Sequence, residues 1–161
     1  MAIRAGRSSE RQNGPLDAVS KAIIAELQRD GRKPYAAIGK AVGLSEAAVR
    51  QRVQRLLDNG VMQVVAVTDP LQLGFARQAM IGITAVGEVE PIADQLAAMD
   101  ELDYVVITAG SFDILAEIVC ESDAHLLEVL SKRIRGIDGV RTTETFVYLK
   151  LRKQTYSWGV R

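Results

Sequence analysis

Two short stretches of this 161-residue chain carry side chains suited to recognising a charged partner. The first runs SEAAVRQRVQR, in which Ser45, Ala47, Arg50, Gln51, Gln54 and Arg55 combine small, amide and guanidinium groups. A small residue permits close approach to a groove, glutamine can pair with adenine, and arginine can reach guanine or phosphate, so the set suits the major groove of double-stranded DNA. The second is Gly110-Ser111-Phe112-Asp113. Free amides near Gly110 can hold a carboxylate while Asp113 pairs with an ammonium, and an amino acid would satisfy both ends. The plainer alternative is a turn in which glycine supplies the backbone angle and Asp113 hydrogen-bonds the loop. Thr143 and Thr145 share a strand face and add hydroxyls, although threonine is common in strands for packing reasons alone.

The first stretch needs a helix with an apolar back. At 100° per residue Val49, Val53 and Leu56 form one stripe, and Ala47, Gln51, Gln54 and Arg55 point the opposite way, flanked by Arg50 and Arg52. Ser45 is placed to cap this helix, Gly43 to supply a left-handed corner, and Leu44 to fill the angle with the helix that follows Pro34. Val19, Ile23 and Leu27, introduced by Asp17 as N-cap, predict a third helix over Leu16 to Leu27 that buries the pair. An ordinary amphipathic surface helix with a solvated charged face is the competing reading.

The net charge of zero hides a division. Residues 1 to 60 hold 11 Lys and Arg against 6 Asp and Glu, or 11 − 6 = +5, and the remainder holds 9 against 14, or 9 − 14 = −5. A basic head on an acidic body directs only the head toward polyanions. With 48% apolar and 25% charged residues the chain is globular. Cys120, the only cysteine, sits among apolar neighbours and reads as a buried thiol. No apolar run approaches the roughly 20 residues that span a bilayer, and residues 1 to 15 lack a signal-peptide core, so no membrane partner is expected and the cytosol is the expected compartment. His125 stands alone without ligands at metal spacing, and no phosphate loop, nucleophile elbow or H-E-x-x-H is present, so no metal, cofactor or catalytic residue is expected.

Residues 1–15, with Arg4, Arg7 and Arg11, read as a disordered arm. After Gly60 the run Val61, Met62, Val64, Val65, Val67 is β-prone and stops at Asp69-Pro70, either as a wing strand or as a connector pairing with another subunit. A short helical turn follows over Leu71 to Phe75. Then come a strand (Gln78 to Val86), a helix (Glu90 to Met99), two strands (Leu102 to Thr108, Asp113 to Cys120), a helix capped by Ser122, and a strand (Val140 to Leu151). That order is the βαββαβ arrangement of a ferredoxin-like domain. Two helices cover one sheet face, yet the second and last strands are apolar on both, which predicts a second subunit against the other face. The aromatic tail Tyr156-Ser157-Trp158 either caps its own domain or marks a subunit contact.

Leu16-Asp17, GLSEAAVRQRVQRLLDNGVM at 43 to 62, GSFD at 110 to 113 and GVRTTETFVYLK at 139 to 150 together resemble the Lrp/AsnC (feast/famine) transcriptional regulators, over about residues 16 to 152. The resemblance implies an α+β protein: an N-terminal winged helix-turn-helix over 16–61, a linker strand and short helix over 62–76, a ferredoxin-like effector-sensing and dimerisation domain over 77–152, and a tail over 153–161. It implies a homodimer assembling to a tetramer or octamer, with an amino acid or related small molecule bound between dimers. It places effector contacts at Val106, Thr108, Gly110, Phe112, Asp113, Thr143 and Thr145, and DNA contacts at Ser45, Ala47, Arg50, Gln51, Gln54 and Arg55. Phe112 stands where many members carry tyrosine, so a phenolic hydroxyl is absent there. Two rival readings are an effector-independent architectural DNA-binding protein and a ferredoxin-like metabolic regulatory module whose first helices bind protein.

Overall fold

The computed structural model describes residues 16–155 and 159–160; the arm read over 1–15 and the aromatic tail Tyr156-Ser157-Trp158 lie outside them. The described chain forms two units, residues 16–66 together with 153–155 and 159–160, and residues 67–152.

In the first unit, α1 (Ala18–Arg29) starts where Asp17 Oδ1 accepts the Ser20 amide at 2.6 Å, which satisfies one of the free donors of the first turn. Pro34 precedes α2 (Tyr35–Val42), and α3 (Glu46–Asp58) is capped by Ser45, whose Oγ accepts the Ala48 amide at 3.2 Å. The corner between α2 and α3 depends on two glycines. Gly43 has φ 73°, where side chains are strained, and donates its amide to Gly39 O. Gly39 serves a different need: a β-carbon there would lie 2.5 Å from the Leu44 carbonyl oxygen. Ile23, Ile38, Val49 and Val53 close the core, ringed by Val19, Leu27, Tyr35, Val42, Leu44, Leu57 and Met62. Each fully buried branched side chain contributes about 1.5–3 kcal/mol, so these four hold the three helices together.

The second unit opens with a 3₁₀ turn (Pro70–Leu73) capped by Asp69, the short turn expected before the sheet. Four strands follow: β1 (Arg77–Ala85), β2 (Leu102–Ile107), β3 (Ile114–Cys120) and β4 (Val140–Val147). They pair antiparallel in the order β2-β3-β1-β4. One face carries Ile81, Ile83, Ile114, Ala116 and Ile118 beneath α4 (Glu90–Ala97) and α5 (Asp123–Glu128), which continues in wider π-type turns over Val129–Ile134. Cys120 is buried in this core, and burial raises its thiol pKa.

The sequence reading departs from the structure in two places. The β-prone run after Gly60 is not a wing strand paired within its own chain: residues 62–69 are neither helix nor strand, and Val64, Val65 and Val67 are exposed. A strand needs a neighbour for its amides and carbonyls, and the described chain offers none there. The last strand stops at Val147 rather than Leu151: β1 runs on to Arg77, but the chain leaves it once the Tyr148 amide has donated to Gln78 O, and Leu149 beyond is 96% exposed.

Candidate nucleic-acid interface and effector turn

Helix α3 divides by periodicity into two faces. Val49, Val53 and Leu56 are buried, whereas Ser45, Ala47, Arg50, Gln51, Gln54 and Arg55 are all exposed. Ser45 is occupied as the cap, so its hydroxyl accepts from the helix itself. Arg50 pairs with Glu46 Oε1 at 2.8 Å and lies 5.3 Å from the centre of the Tyr35 ring, which holds its guanidinium beside the start of the helix. Gln54 donates to Asp58 Oδ1 at 2.8 Å. Neither Gln51 nor Arg55 makes a side-chain hydrogen bond among the described residues. Arg52, at the flank of this face, turns back instead: it donates to Asp17 Oδ2 at 2.7 Å and to Ser20 Oγ at 3.2 Å.

The Gly110–Asp113 stretch is the β2–β3 connection. Thr108 donates its hydroxyl to Phe112 O at 2.6 Å and its amide to Asp113 O, which closes the loop. Asp113 Oδ2 accepts the Ala85 amide at 2.8 Å, and the Asp113 amide donates to Ile83 O. This carboxylate therefore fastens the turn to the irregular end of β1, where the β1–β4 register shifts between Thr84 and Ala85. The turn reading of Asp113 describes that oxygen; only Oδ1 has no hydrogen bond among the described residues.

The residues assigned to the effector do not share one surface. Val106 pairs opposite Leu115, and Phe112 lies over Gly82, so both belong to the sheet face that no helix covers. Thr143 and Thr145 pair opposite Ile83 and Ile81 and face the helices; Arg135 Nε donates to Thr143 Oγ1 at 2.8 Å. Gly110 is exposed at the tip of the turn. What the chain does bring together is one end of the sheet: the turn, the end of β1 and the start of β4.

The helix-free face presents Tyr104, Val106, Leu115, Met80 and Phe146, with Phe112 and Phe146 edge to face at 6.0 Å. Glu117 lies among them and accepts from Gln78 Nε2 at 2.9 Å. Burial, with Glu117 beside it, pushes the Tyr148 phenol up to about 12. A cavity of about 430 Å3 lies at the opposite end of the sheet, lined by Leu73, Phe75, Asp103, Val119 and His125, and includes none of the assigned effector residues. Among the described residues no group of three or more His, Cys, Asp or Glu is placed to hold a metal, and no helix is long and apolar enough to cross a membrane.

Comparison with known proteins follows these two units. Residues 16–57 match the AsnC-type helix-turn-helix domain, and residues 81–161 match a C-terminal dimeric alpha+beta barrel domain of the AsnC regulators. An uncharacterized HTH-type transcriptional regulator of Pyrococcus furiosus is 32% identical over 144 residues, 88% of this chain and 97% of the relative. The HTH-type transcriptional regulator FL11 of Pyrococcus horikoshii is 34% identical over 143 residues, 88% and 94% of the two chains. Among solved structures, Escherichia coli AsnC superposes with a TM-score of 0.76 at 25% identity, covering 89% of this chain and 99% of that one. The Mycobacterium tuberculosis leucine response regulatory protein does so with 0.78 at 28%, covering 86% and 96%.

Proposed function

The chain belongs to the Lrp/AsnC family of transcriptional regulators, and we propose that it recognises a specific duplex sequence through α3 and responds to a small-molecule effector. The observation that carries this reading is the division of α3: a buried Val49, Val53, Leu56 stripe beneath an exposed Ala47, Arg50, Gln51, Gln54, Arg55 face. Ala47 and Gln51 lie toward the N-terminal half of the helix, the part that meets base edges in helix-turn-helix proteins, with Arg50 and Arg55 reaching guanine or phosphate. The named relatives are transcriptional regulators, and no residue here is assigned a catalytic role.

The effector is an amino acid or related molecule bound between dimers at the turn end of the sheet. The name of the Mycobacterium tuberculosis relative, a leucine response regulatory protein, supports that class. Gly110 offers exposed backbone at the turn, and Asp113 joins it to β1, so a ligand held there acts on the end of the central strand. Dimers pair through the helix-free face and assemble to tetramers or octamers. The ligand shifts that assembly only if it binds one geometry more tightly than another.

Fluorescence anisotropy with a duplex selected by the protein from a random pool tests the DNA assignment. Arg55→Ala weakens binding while the oligomer stays intact. Equal affinity for selected and scrambled duplexes would instead identify an architectural protein. Thermal-shift screening against the amino acids, repeated with Asp113→Ala, tests the effector: the responsive ligand loses its effect in the variant while DNA binding persists.

A further inference from the structure

We propose that Arg52 is a positioning residue for DNA recognition, which ties α3 to the first turn of α1 through Asp17 and Ser20 and makes no contact with the duplex. One carboxylate performs two tasks here. Asp17 Oδ1 accepts the Ser20 amide at 2.6 Å and so caps α1, while Oδ2 accepts from Arg52 at 2.7 Å. Ser20 completes the triangle by accepting from the same Arg52 nitrogen at 3.2 Å, and it is the buried polar residue of the described core, 8% exposed. Arg52 is partly buried, whereas Arg50 and Arg55 on the same helix are exposed.

Besides this joint, α1 and α3 share an apolar core to which they contribute Ile23, Val49 and Val53. Burial of such surface is non-directional, so it specifies the rotation of a helix about its axis less sharply than a directed bond does. Charged hydrogen bonds have directions, and one made from the middle of α3 fixes that rotation. Arg52 is the chain neighbour of Gln51, so the rotation it sets is the rotation at which Ala47 and Gln51 meet base edges. Hydrogen bonds to base edges are lost when their donors are misplaced by a fraction of an ångström, so the joint acts on affinity without touching DNA. Asp17 supplies the sharper argument: a carboxylate 2.7 Å from Arg52 would repel a phosphate brought to the same guanidinium.

The assignment rests on α3 facing DNA, and the test separates the two. Asp17→Asn keeps a side chain that caps helices but removes the charge, so α1 still forms. Anisotropy titrations of wild type, Asp17→Asn, Arg52→Gln and the double variant are run on the selected duplex across a series of salt concentrations. The expected result is weakening by roughly three- to tenfold in each single variant, no further loss in the double, and an unchanged slope of log K against log salt. Arg55→Ala, run alongside, flattens that slope by about one contact. Tighter binding by Asp17→Asn, or a flatter slope with Arg52→Gln, makes Arg52 a phosphate contact and overturns the proposal; so does unaltered affinity in both single variants. Wild-type protein without affinity for any duplex would instead remove the DNA-facing reading of α3 and the joint with it.

Discussion

The Phe112 ring lies over the backbone of Gly82, where a β-carbon would sit 2.7 Å from three of its ring atoms. Gly82 has no left-handed backbone angle to explain it, so the ring is the reason for the glycine. Gly82→Ala therefore displaces Phe112 from β1, at a cost of about 1–3 kcal/mol typical of overpacking. Urea unfolding of Gly82→Ala, Phe112→Ala and the pair checks this: the double variant regains part of the loss of Gly82→Ala alone. Simple additivity of the two would show that the ring and the glycine are independent.

Gly39 is the counterpart in the first unit. A methyl group there meets the Leu44 carbonyl oxygen, a backbone atom that cannot swing aside, so Gly39→Ala opens the α2–α3 corner. The expected loss is about 1–3 kcal/mol, read as a lower melting temperature, with weaker DNA binding and unchanged dimerisation. A variant that binds duplex at wild-type affinity would show that the corner tolerates the methyl by relaxing.

These two glycines also mark where sequence reading ends. Gly43 is legible because a corner after a helix needs a left-handed residue, a local requirement. The caps Asp17, Ser45 and Ser122 are legible for the same reason, and each accepts the amide its position predicts. Gly39 and Gly82 answer to atoms placed by tertiary packing, and no local pattern announces them. Asp113 reaches Ala85, 28 residues earlier, so its partner depends on the β1–β3 pairing. The face of Thr143 and Thr145 is likewise a matter of register, since their spacing shows that they share a face but not which one the helices cover. β4 ends before the apolar pattern does, since an apolar run shows β propensity but not how far the neighbouring strand is followed.

Asp17 gives a pH prediction of definite sign. The Ser20 amide, and then Arg52, hold its carboxyl at about 2 in the folded protein against an ordinary 3.8. The folded state thus binds the proton less readily than the unfolded state. Its stabilising contribution is complete above about 3.8 and is lost as pH falls through about 2. Between those limits the melting temperature of Asp17→Asn falls less steeply with acid than that of wild type. Parallel melting profiles across that window would mean that the carboxylate is no better placed in the folded chain than in the unfolded one.

Tyr104 permits a test of subunit pairing that leaves the single chain intact. It is 51% exposed on the helix-free face and pairs across strands with Glu117. Tyr104→Lys sets a cation opposite that carboxylate, an arrangement that an isolated sheet accommodates or favours by a few tenths of a kcal/mol. In a dimer that covers the face, the same lysine must lose its water, and even a paired buried charge carries a desolvation penalty of several kcal/mol. Sedimentation velocity should therefore show dimers and larger assemblies of wild type giving way to monomers of the variant at equal concentration. Far-ultraviolet circular dichroism of the two should be the same. A variant that sediments as wild type would place the subunit contact on another surface, because a lysine can be tolerated at Tyr104 only where solvent still reaches it.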